Sequence, residues 1–101
     1  MQTPAPAALA LPETLLHEQA GECLEQLTAR LKALGAAGQA PAQTWVIDAS
    51  ALRDFDSSAL AVLLACRRTA QDLGGALQVR ELPATLRELA SVYGVLELLG
   101  A

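Results

Sequence analysis

Two short runs decide how the rest of the chain is read: Thr44-Trp45-Val46-Ile47-Asp48-Ala49-Ser50 and Phe55-Asp56-Ser57-Ser58-Ala59-Leu60. Thr44 to Ile47 is β-branched and aromatic and runs into a carboxylate at Asp48. A continuous apolar run of this kind predicts a central strand buried on both faces. Leu52 and Phe55 punctuate the charged loop Arg53-Asp54-Phe55-Asp56, and Ser57-Ser58 then opens a helix. That helix is expected to run to about Leu73, where Gly74-Gly75 closes it. Its start, Ala59 to Cys66, is apolar all the way round. A surface helix shows a polar face, so this start is covered either by the fold itself or by a partner protein.

Working outward, Ala7 to Leu11 is a short apolar stretch ended by Pro12, and it predicts a first strand. Leu16, Ala20, Cys23, Leu24, Leu27, Leu31 and Leu34 recur at spacings of three and four, one stripe of an amphipathic helix. Gly35 and Gly38 are expected to stop it, and Pro41 to begin the next connection. On the other side, Ala76 to Glu81 alternates apolar and polar residues, which predicts a strand with a wetter face. Pro83 starts a last helix, with Leu86, Leu89, Ala90 and Tyr93 on one face and the apolar tail Val95 to Leu99 behind it. The order is strand, helix, strand, helix, strand, helix. Such alternation implies an α/β fold with a mostly parallel sheet and right-handed crossovers. Sites in such folds gather beyond the carboxyl ends of the strands, which is where Asp48 and the Asp56-Ser57-Ser58 turn belong.

Composition narrows the function. The chain has 101 residues, which suits one domain, here expected over 7–101 behind a flexible lead-in over 1–6. Hydrophobic residues make up 52% and charged residues 18%, a balance that disordered chains do not have. Net charge is −4 and aromatics are 3%, so the chain lacks both the basic footprint and the stacking platform of a nucleic-acid binder. The first ten residues carry no Lys or Arg, and the longest apolar run is too short to cross a bilayer. A cytoplasmic chain without direct membrane insertion is expected. Cys23 and Cys66 then read as small buried hydrophobes in a reducing compartment.

The Asp56-Ser57-Ser58 turn admits two readings. Asp and Ser are preferred helix caps, because their oxygens accept bonds from free N–H groups of the first turn. The same N–H groups favour an anion, so a phosphorylated Ser57 or Ser58 would sit in a positive field, opposed by Asp48, Asp54 and Asp56. Catalysis is not expected. His17 is the lone histidine, no G-x-S-x-G elbow exists, and no glycine loop cradles phosphate. Asp48, Asp54 and Asp56 are explained by solvation and capping, so neither metal nor cofactor is expected.

The run Val46-Ile47-Asp48-Ala49-Ser50, then Phe55-Asp56-Ser57-Ser58-Ala59-Leu60, then the Leu/Ala helix, resembles the STAS domain family. The resemblance covers about Ala7 to Leu99 and implies a small, mostly parallel sheet with helices packed mainly on one face. Two branches compete. The chain looks closest to the STAS subunit of the bacterial phospholipid ABC transporter that maintains outer-membrane lipid asymmetry (the Mla system), and its Leu89-Ala-Ser-Val-Tyr93 close is similar to that branch. This implies a non-enzymatic protein that binds the transporter's ATPase and sits at the inner membrane through that partner. The implied contact is the turn formed by Leu52, Arg53, Phe55, Asp56, Ser57, Ser58 and Leu60, with Ser57 at its centre. The other branch is the anti-sigma factor antagonist, which captures an anti-sigma factor kinase and whose phosphoacceptor maps onto Ser58. Ala59 stands where that branch carries Gly, and Pro12 replaces the usual Gly after the first strand.

Overall fold

The computed structural model describes residues 8–36 and 44–99. The elements run β1 (Ala8–Ala10), β2 (Thr14–Leu15), α1 (His17–Ala36), β3 (Thr44–Asp48), β4 (Asp54–Phe55), α2 (Ser58–Asp72), β5 (Ala76–Arg80) and α3 (Ala84–Val92), then a 3-10 turn at Glu97–Leu99. The lead-in read over 1–6 and the stop at Gly38 and Pro41 lie outside the described residues. The helix itself passes Gly35 and ends at Ala36.

β1, β3 and β5 form one parallel sheet in the order β1-β3-β5, with Leu9, Ile47 and Val79 in register across it. All three of those side chains are buried, as are Trp45 and its neighbour Leu77. The opposite face carries Val46 and Gln78, both only half-buried, and Asp48 beside Arg80. The expectation of a β3 buried on both faces therefore fails. Its burial alternates because, among the described residues, only one side of the sheet is covered. The one-sided packing implied by the family resemblance is what the chain adopts.

α2 fills the middle of that side. Ala59, Leu60, Val62, Leu63, Cys66 and Ala70 are buried, and Ala61 is the exposed residue of its apolar start. The fold itself thus covers most of that start. α1 packs along α2 with Leu27 and Leu31 fully inside, while Ala20, Cys23 and Leu24 are half-covered. Each fully buried Leu, Ile or Val contributes roughly 1.5–3 kcal/mol. α2 stops where Gly74 takes φ +85, with the Gly74 N–H donating to Gln71 O at 2.9 Å and the Gly75 N–H to Ala70 O at 2.9 Å. This is a Schellman close, and Gly94 with Val95 repeats it at the end of α3. There Leu86 and Ala90 face inward, whereas Tyr93, expected on the same face, is 59% exposed. Its residue lies past the last helical turn, where the chain is already leaving the helix.

Candidate functional site

The site is built by two parallel strands that feed two helices. β2 pairs with β4, placing Thr14 beside Asp54 and Leu15 beside Phe55. The bond pattern continues upstream, where the Arg53 and Asp54 N–H groups both donate to Glu13 O, at 2.8 and 3.0 Å. β2 leads directly into α1 and β4 directly into α2, so the two helix starts lie side by side. This two-strand bridge is absent from the strand order read in the sequence, because two residues show no periodicity.

Asp56 sits between those starts. Its Oδ1 accepts the Ser58 N–H at 2.8 Å and its Oδ2 accepts the His17 N–H at 3.1 Å. One carboxylate thereby satisfies free donors of both helices, the role N-cap side chains play singly. The Ser58 N–H is the largest influence holding the Asp56 carboxyl below the usual carboxylate range; the His17 N–H, the Ser58 hydroxyl and the His17 charge add to it, and partial desolvation opposes it. α1 supplies no cap of its own at Leu16. Instead Gln19 Oε1 reaches back to the Leu16 N–H at 3.0 Å, half of a capping box, and Asp56 provides the rest from 39 residues away in the chain. Asp48 makes a smaller turn of the same kind, its Oδ1 accepting the Ser50 N–H at 2.9 Å.

The capping expectation therefore falls on Asp56 and not on the serines. Ser57 has helical backbone angles (φ −63, ψ −16) and its side chain makes no capping bond. It is exposed, directly before the first residue of α2, and its hydroxyl makes no hydrogen bond among the described residues. Ser58 is half-buried beside the Asp56 carboxylate. Of the other residues expected at a contact, Arg53 and Asp56 are exposed and Phe55 is half-buried. Leu52 and Leu60 are 5% and 2% exposed, so they support the turn from inside and leave its surface to their neighbours. Along α2, Ser57 is followed on the same open stripe by Ala61, Leu64 and Arg68.

A groove missed in the sequence adjoins the turn. Phe55 and Asp56 form one wall, and Thr85, Glu88, Leu89 and Val92 of α3 form the other, around a volume of about 360 Å³. The α3 positions recur at helical spacing, but Leu89 reads as core when taken with Leu86, and Val92 stands alone. What the sequence does show is an apolar pair, Leu89 and Val92, lying off the Leu86–Ala90 axis. Among the described residues no group of three His, Cys, Asp or Glu could hold a metal ion, and no helix is long and apolar enough to cross a membrane.

A small α/β domain with a β1-β3-β5 parallel sheet, and with an Asp-Ser-Ser turn opening a buried helix, is the arrangement of a STAS domain. The family model described as "Mlab, STAS domain" matches residues 2–100. The chain belongs to the STAS domain family and lies close to MlaB within it. That family is generally non-catalytic. Among curated proteins, no significant match is found.

Proposed function

We propose that the chain is the non-enzymatic STAS subunit of a phospholipid ABC transporter of the Mla type, docking on its cytoplasmic ATPase and serving outer-membrane lipid asymmetry. The match to the Mlab family model over residues 2–100 carries this reading. The position of Ser57 supports it: an exposed hydroxyl with no hydrogen bond among the described residues, on a turn held by Asp56, can bond a partner. Binding would favour one arrangement of the ATPase, by no more than the difference in its affinity for the two arrangements. The subunit would reach the inner membrane through this partner.

Co-purification of the ATPase with a tagged chain tests the reading, with mass spectrometry of bait and prey. Ser57→Asp is expected to weaken capture by about tenfold or more, because it brings an unpaired charge into the contact beside Asp56. Ser57→Ala loses only one hydrogen bond, about 1 kcal/mol. Capture unaltered by Ser57→Asp removes Ser57 from the interface. An anti-sigma factor kinase as prey, with phosphate on Ser58 of the bait, replaces the transporter reading with the antagonist one. Against that outcome stands Asp56, which already occupies the donors a phosphate on Ser58 would seek.

A further inference from the structure

The groove between the Phe55–Asp56 turn and α3 is lined by apolar and acidic side chains. Phe55, Leu89 and Val92 supply the apolar surface, and Val92 is 79% exposed, the most exposed large hydrophobic side chain among the described residues. Asp56 and Glu88 supply the charge, and among the described residues no Lys, Arg or His lines the groove. The Asp56 carboxylate accepts two backbone N–H groups, and the His17 side chain whose charge acts on it stands outside the groove lining, so Asp56 and Glu88 set the charge of the groove. The volume of about 360 Å³ has room for one or two large side chains. We infer that this groove receives an apolar anchor residue flanked by Lys or Arg, carried on a segment of the protein on which the chain docks.

The occupant follows from the charge. An apolar anchor buries against Phe55, Leu89 and Val92, and its basic neighbours meet Asp56 and Glu88, where complementary charge sets partner choice and speeds association. A second copy of the chain fits worse, since two such grooves face to face set each Asp56 and Glu88 against its counterpart. This inference rests on the reading of the chain as a docking subunit and adds the chemistry of the segment that is bound.

The test is a titration of the isotope-labelled full chain with two synthetic amphipathic peptides of identical leucine pattern, one with lysines and one with glutamates. The lysine peptide is expected to bind and to shift the amide signals of Phe55, Leu89 and Val92, more weakly as salt rises. Val92→Asp is expected to cut that affinity by about tenfold, and Glu88→Lys to move the preference toward the glutamate peptide. Both residues are exposed, so the unaltered emission of Trp45 checks that each variant is folded. Equal binding of both peptides, shifts confined to other surfaces, or self-association that moves the same signals would each overturn the inference. ATPase capture indifferent to Val92→Asp and Glu88→Lys overturns the groove and leaves the docking reading standing. Lysine-peptide binding at the groove by a chain that captures no ATPase supports the groove and removes the transporter reading.

Discussion

Asp56 shows how one side chain gains a role from two strands that the chain brings together. With Leu15 and Phe55 in register, the next residues place Asp56 at the mouth of both α1 and α2, and each of its oxygens takes one helix. Asp56→Ala is expected to lower Tm clearly, and more than Ser57→Ala, because the first removes caps from two helices and the second removes none. Thermal unfolding of the two variants checks the order. The pH dependence has a definite sign. Asp56 titrates below the usual 3.8 when folded, so its stabilisation is complete above that value and is lost as pH falls through the lower, folded one. Asp48 is held down in the same direction, chiefly by the Ser50 N–H. Tm is therefore expected to hold from neutral pH to about 4 and fall below it, with a shallower fall in Asp56→Asn. At this scale the sequence marked Asp56 as a cap residue. It could not show the second helix, which begins 39 residues earlier.

α2 was the most legible element, since its apolar start, its length and its closing glycines are all local signals. Burial within it follows position. Leu63 is fully buried and Leu64 half-buried, so Leu63→Ala is expected to cost about 2–5 kcal/mol and Leu64→Ala less. Urea titration followed by Trp45 emission reads both, as Trp45 is the chain's single tryptophan and sits in the core. Gly74→Ala tests the close. A Cβ there meets nothing within 4 Å, so its cost, about 1–2 kcal/mol, is the left-handed backbone alone. β3 and α3 were read less well, for related reasons. A run such as Trp45-Val46-Ile47 looks the same whether one face or both are covered, and Tyr93 looks like core until Gly94 turns the chain away at φ +73. Periodicity reports which residues share a face and is silent on what lies against it.

In the molecule as a whole, Cys66 lies on the buried side of α2, close to Cys23 of α1, and is 0% exposed; burial pushes its thiol up to about 12, with Cys23 adding to the shift. Cys23, half-buried on α1, is raised as well by desolvation. Neither thiol is a ready nucleophile at neutral pH. Iodoacetamide is expected to modify Cys23 slowly and Cys66 only as the chain unfolds, so the two rates, read by mass spectrometry in rising urea, separate local from global opening. Cys66 labelled as fast as Cys23 without urea would mean that α2 opens locally, without global unfolding. The alternation of three main strands with three helices, the parallel sheet, the buried helix and the Asp-Ser-Ser turn were all determined by the sequence alone, because each depends on neighbours within a turn or on simple alternation. The one-sided covering of the sheet, the sharing of Asp56 between two helices, and the groove that joins Phe55 to Leu89 and Val92 were decided only in the tertiary structure. Each of these brings together residues far apart in the chain, and no local spacing encodes their meeting.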